Sequence, residues 1–135
     1  SWALVSNGSP VVQTYVGSLT LAQINAGATL VPAVAGHTIR PIYCKIIPTG
    51  TATSGGPLTL KDTSGTVSIL SLTYGALATA VAANPPCVTS EVVATGATWG
   101  AGMGGSLTAA NGIAVAGGTL VGLTSAIFII EYTVV

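Results

Sequence analysis

Charge is what this sequence has least of. Only 4% of its 135 residues are Asp, Glu, Lys or Arg, and the net charge is zero. An ordinary soluble domain carries roughly 25%. The whole ionic inventory is Arg40, Lys45, Lys61, Asp62, Glu91 and Glu131, with His37 as the single histidine. Three basic residues make no stripe that could track a phosphate backbone, so nucleic-acid binding is not expected. A free monomer keeps clear of its own copies largely through surface charge. This chain has little with which to do so.

Long apolar runs are missing too. A spanning helix needs about 20 apolar residues, whereas the longest clean run is Ala126–Ile130, and Gly75–Ala83 is broken by Thr79 and closed by Asn84-Pro85-Pro86. With seven aromatics in all, the chain lacks the girdles of a transmembrane barrel. No membrane partner is expected. Ser1-Trp2-Ala3-Leu4 shows no basic segment followed by an apolar one, so a signal peptide is not expected there, and a mature secreted product stands as the alternative. Cys44 and Cys87 are the only cysteines. Two distant cysteines make no disulfide framework. They read as small buried hydrophobes, with a pair as the alternative.

What the chain does have is hydroxyl groups, 19 Thr and 11 Ser, together with 18 Gly and 7 Pro spread as punctuation. Thr packs well on a pleated surface, and a hydroxyl costs far less to desolvate than an ammonium or carboxylate. No segment carries a helical stripe. Short β-rich runs recur between turn signals about every ten residues, which predicts an all-β domain, a β-sandwich or jelly-roll. Residues 1–17 read as an extended N-terminal arm or edge strand, with Val11–Val16 as its strand, and 18–135 as the sandwich domain.

Along that domain, Leu19–Ile24 alternates moderately and Thr29–Val31 is short. His37–Ile47 is a long strand whose Pro41 predicts an edge or a bulge. Thr49–Gly56 reads as a flexible loop. Leu58–Lys61 and Thr66–Leu72 form a hairpin across Asp62-Thr63-Ser64-Gly65. Tyr74–Ala83 is ambiguous between helix and strand, Cys87–Val93 is a strand, and Gly112–Ala116 with Thr119–Leu123 forms a hairpin across Gly117-Gly118. Ser125–Val135 is the strongest strand. Ala126, Phe128, Ile130, Tyr132 and Val134 share one face, and Ile127, Ile129, Glu131, Thr133 and Val135 the other. Apolar residues on both faces predict a central strand, at least partly covered on each side.

Catalytic patterns are thin. Gly100-Ala101-Gly102-Met103-Gly104-Gly105 fits G-x-G-x-x-G, but no crossover helix and no acid at the required distance follow, so it reads as a glycine loop. No G-x-S-x-G elbow accompanies His37. His37, Cys44 and Cys87 are too few and too far apart for a structural zinc site, and acidic calcium loops are absent. No catalytic residue, cofactor or metal is expected. Glu131, set among Ile and Tyr in the last strand, is expected either to pair with Lys45 or Arg40 or to face another subunit. Trp2, Tyr15 and Trp99 are the other candidate interface residues.

The stretch Leu19-Thr20-Leu21-Ala22-Gln23-Ile24-Asn25-Ala26-Gly27, running into Leu30-Val31-Pro32-Ala33-Val34-Ala35-Gly36-His37-Thr38-Ile39, resembles small virion proteins of tailed bacteriophages. The ending Ile127-Phe128-Ile129-Ile130-Glu131-Tyr132-Thr133-Val134-Val135 is similar to theirs. These proteins are of the capsid decoration, or cement, type. The resemblance implies a β-sandwich, commonly a homotrimer, made in the host cytoplasm and placed on the capsid exterior, where it clamps the major capsid protein lattice. It carries over no functional residue, because surfaces do the work. A head-fibre, tail or adhesin module and a carbohydrate-binding β-sandwich are the alternatives.

Overall fold

The computed structural model describes residues 11–78, 97–102 and 111–135. In chain order they form β1 (Gln13–Thr20), α1 (Leu21–Ala26), β2 (Ala28–Val31), β3 (Ile39–Ser54), β4 (Leu58–Asp62), β5 (Ser68–Leu72), α2 (Tyr74–Ala78), β6 (Ala97–Trp99), β7 (Ile113–Ala116) and β8 (Val121–Val134). Two antiparallel sheets result. Sheet A has the order β1-β8-β3, and sheet B the order β2-β7-β4-β5-β6. The chain is an all-β, sandwich-like domain. The expected strand Cys87–Val93 and residues 79–83 of the ambiguous segment lie outside the described residues.

The core follows from side-chain alternation. Ile39, Cys44 and Ile46 of β3 and Ala126, Phe128 and Ile130 of β8 point inward from sheet A. They meet Leu58 and Leu60 of β4, Leu70 and Leu72 of β5, and Ile113 and Val115 of β7, all in one cluster. Ile24 from α1 and Leu77 from α2 join it. Each fully buried aliphatic or aromatic side chain contributes on the order of 1.5–3 kcal/mol.

The last strand is central, as its two apolar faces predict: β8 pairs with β1 on one side and β3 on the other. Pro41 satisfies both expectations for it. It lies on an edge strand, and the register shifts between Pro41 and Tyr43. The hairpin Leu58–Leu72 forms with Leu58 opposite Leu72 and Leu60 opposite Leu70. Asp62 holds its turn. The buried carboxylate accepts from Ser64 Oγ at 2.7 Å, from the Thr66 N–H at 3.0 Å and from the Val67 N–H at 3.1 Å.

Three local expectations need correction. Leu19–Ile24 is not a continuous strand, because β1 stops at Thr20 and α1 begins. Thr20 and Gln23 form a capping box: the Gln23 N–H donates to Thr20 Oγ1 at 3.3 Å, and the Thr20 N–H donates to Gln23 Oε1 at 2.9 Å. Two otherwise orphaned donors are satisfied in this way, and the short helix starts there. Thr49–Gly56 is not a loop up to Ser54. β3 runs on through it, pairing Gly50 with Leu123 and Ser54 with Val121 across register shifts. Gly50 has φ 84°, a value a side chain resists, so the strand bends there without breaking.

Gly112–Ala116 and Thr119–Leu123 are not a hairpin, because β7 belongs to sheet B and β8 to sheet A. Gly117-Gly118 is the crossing between the layers. The Gly118 N–H donates to the Asn25 carbonyl at 3.0 Å. The Asn25 side-chain amide donates to the Leu120 carbonyl and accepts from the Leu120 N–H, each at 3.0 Å. One side-chain amide thus replaces the strand neighbour that a hairpin would have supplied.

Candidate assembly surface

Burial alternates along every strand of sheet A, so its second face can be assembled row by row. The rows running β1–β8–β3 are Ser18–Ile127–Ile47, Val16–Ile129–Lys45 and Thr14–Glu131–Tyr43, with Arg40 beside Thr133 beyond them. These residues point away from the core. Val16 is 63% exposed and Ile127 37%, while Ile47, Ile129, Tyr43, Lys45 and Glu131 are half-buried. Among the described residues no second layer covers this face. Among the described residues the central strand is therefore packed against a second layer on its even-numbered face and flanked only by β1 and β3 on the odd-numbered one.

The face also gathers charge. Arg40, Lys45 and Glu131 are three of the six charged residues of the chain. Lys45 is one register step from Glu131 on the adjacent strand, and Arg40 flanks it on the other side. Neither cation comes within ion-pair distance of Glu131. The expected pairing of Glu131 inside its own chain is therefore not made. Glu131 is left half-buried among Ile129, Thr133 and Tyr43.

The outer face of sheet B is chemically different. Thr59, Ser71 and Thr98 form one row across β4, β5 and β6, with Ala114, Ala116, Lys61 and Thr29 around them. The Thr59 and Ser71 hydroxyls lie 3.4 Å apart and share a hydrogen bond. This is a face mainly of hydroxyls and methyls, wettable with Lys61 as its one charged side chain among the described residues.

The remaining candidates fall elsewhere. Tyr15 is on the inner side of β1, half-buried against the core, with its phenol ring folded over Gly17. Trp99 is placed by its backbone alone, opposite Leu70 at the end of β6. Trp2 lies outside the described residues. Beyond Trp99, the glycine stretch turns back on β5: the Gly100 N–H donates to the Ile69 carbonyl at 2.9 Å, and the Gly102 N–H to the Ser68 carbonyl at 2.8 Å. Residues 103–105 of that stretch lie outside the described residues.

His37 sits exposed in the loop before β3. Cys44 carries a free, fully buried thiol, and burial pushes its pKa up to about 12, so it stays protonated and unreactive at neutral pH. Burial also works to raise the Asp62 carboxyl, but hydrogen bonds from Ser64, Val67, Thr66 and Gly65 outweigh it and hold that group below its ordinary value. Among the described residues no three His, Cys, Asp or Glu side chains are grouped to hold a metal ion, and no helix is long and apolar enough to cross a membrane.

Glu131 was identifiable from sequence as an ion in an apolar strand. Val16, Ile47, Tyr43, Lys45 and Arg40 were not, because only the pairing of β1 and β3 with β8 brings them beside it. Comparison with protein-family models, with curated proteins and with solved structures gives no match to this chain.

Proposed function

We propose that this chain is a structural protein of a virion, a decoration protein that binds the major capsid protein lattice on the outside of a bacteriophage head. It acts as an oligomer of itself, with three copies in the arrangement that the resemblance implies. The observation that carries this reading is the outer face of sheet A, where Val16, Ile47, Ile127, Ile129 and Tyr43 make a largely apolar surface with three charged side chains among them. A surface of Ile, Val and Tyr with few ions is inexpensive to desolvate and suits a permanent contact. The hydroxyl face of sheet B, on which Lys61 is the one charged side chain among the described residues, is the surface offered to the lattice, while the sheet A face joins copies of the chain. The role is mechanical: two-sided attachment ties neighbouring capsid subunits together, and no reacting group takes part.

The experiment is direct. The purified chain is mixed with heads assembled from the major capsid protein of the phage that encodes it, and bound copies are counted after sedimentation. Stoichiometric binding together with a higher disruption temperature of the heads supports the proposal. A chain that stays in the supernatant and leaves the heads unchanged overturns it.

A further inference from the structure

We propose that the outer face of sheet A joins two copies of this chain about a twofold axis that runs parallel to the strands between β8 and β3, so that Glu131 of each copy is received between Arg40 and Lys45 of the other. The contact is pairwise and coexists with any threefold contact made by other surfaces. It goes beyond the decoration role and does not depend on it.

The registers carry the argument. Glu131 stands on the central strand opposite Tyr43, and Lys45 and Arg40 flank Tyr43 along the edge strand β3. Within one sheet, diagonal neighbours of this kind are about 7–8 Å apart, and Glu131 reaches neither cation. A twofold axis midway between the two strands exchanges the β8 and β3 columns and keeps each residue at its own height. Glu131 then comes to lie over the partner's Tyr43, with the partner's Lys45 on one side and the partner's Arg40 on the other. The same operation sets Ile127 over the partner's Ile47, and Ile47 over the partner's Ile127. One axis therefore closes the apolar row and the ionic row together, each contact made twice, as an isologous interface requires.

An axis along β8 itself would set Glu131 against the partner's Glu131, a like-charge contact that costs affinity. Aligned sheets packed about 10 Å apart allow the chosen arrangement. It leaves β1 outside the overlap and Val16 at its rim. The charge placement, two cations and one anion on a face otherwise poor in ions, has no ion-pair partner among the described residues and a complementary one in a second copy.

The test is charge exchange in the full chain, read by sedimentation velocity, with far-ultraviolet circular dichroism to show that each variant is folded. Glu131→Lys makes the face wholly cationic, and Arg40→Glu with Lys45→Glu makes it wholly anionic. Each variant alone should self-associate at least about tenfold more weakly than the natural chain. An equimolar mixture of the two should associate again, as a pair holding one copy of each. A natural chain that stays monomeric overturns the proposal. So do variants that associate as the natural chain does, or folded variants whose mixture fails to pair. Failure to bind capsids would leave these results untouched, so the two proposals fail separately.

Discussion

Neighbouring isoleucines on β8 should differ sharply in what they contribute to the folded chain. Ile130 is 0% exposed and lies in the cluster between the sheets, beside Phe128 and Cys44 in the packed layer. Ile127 is 37% exposed on the opposite face. Truncating Ile130 to Ala removes buried methyl and methylene groups and leaves a cavity that a two-layer core closes only in part, a loss of about 2–5 kcal/mol. Truncating Ile127 gives up only part of a transfer energy whose full value is about 1.5–3 kcal/mol. Among the described residues no second layer sits over it, so no cavity term is added, and the loss in dilute solution should be roughly 1 kcal/mol or less. Urea unfolding of both variants, at concentrations low enough to keep copies apart, measures the difference as a shift in midpoint at constant slope. Equal losses would refute the face assignment of β8. A larger loss at Ile127 would mean that its side is the covered one.

Replacing Asp62 by Asn keeps an acceptor for the Thr66 and Val67 N–H groups but removes the charge that the turn stabilises. Because the folded carboxyl is held below its ordinary value of 3.8, the stability it contributes is complete above that value and is lost as pH falls through the lower, folded one. The natural chain should exceed Asp62→Asn by about 1–3 kcal/mol near neutral pH, and the gap should close in acid; a gap independent of pH would contradict the hydrogen-bonding account. In a Cys87→Ser background, Cys44 should resist alkylation at neutral pH until denaturant unfolds the chain, since its thiol is buried with a pKa of about 12; rapid labelling of the folded protein would show that β3 opens. Thr20→Ala should cost about 1 kcal/mol through loss of the α1 cap, whereas Thr20→Ser should cost a few tenths at most, and equal losses would mean that the hydroxyl makes no cap.

Local chemistry made the all-β class and several particular features legible. β8 declared itself central through apolar residues on both faces, Pro41 declared an edge or a bulge, and Asp62-Thr63-Ser64-Gly65 declared the hairpin turn. The α1 helix was also signalled, by Thr20 followed three residues later by Gln23, but a moderate period-two alternation through Leu19–Ile24 masked the capping box. The other two errors are of a different kind. Gly117-Gly118 between two apolar runs has the local pattern of a hairpin, and what makes it a crossing is Asn25, 95 residues away from the Leu120 it holds. Thr49–Ser54 has the glycine and hydroxyl content of a loop, and it becomes strand because the upper end of β8 is there to pair with it.

The same limit applies to the candidate surface. Alternation along β8 places Glu131 with Ile127 and Ile129 on one face, which single-strand periodicity can show. That β1 and β3, at opposite ends of the sequence from β8, add Val16, Ile47, Tyr43, Lys45 and Arg40 to that face depends on long-range register. Periodicity within one strand carries no information about its neighbours.

The central claim is that the uncovered face of sheet A is covered by other molecules when the protein is at work. Hydroxyl-radical footprinting over a concentration series, and again on assembled heads, measures this side chain by side chain. Tyr43, Ile127 and Ile129 should lose reactivity as copies associate, while Tyr74, 45% exposed at the start of α2, should keep its own under the same conditions. Reactivity at Tyr43 and Ile127 that stays constant from dilute solution to the assembled particle would contradict the account.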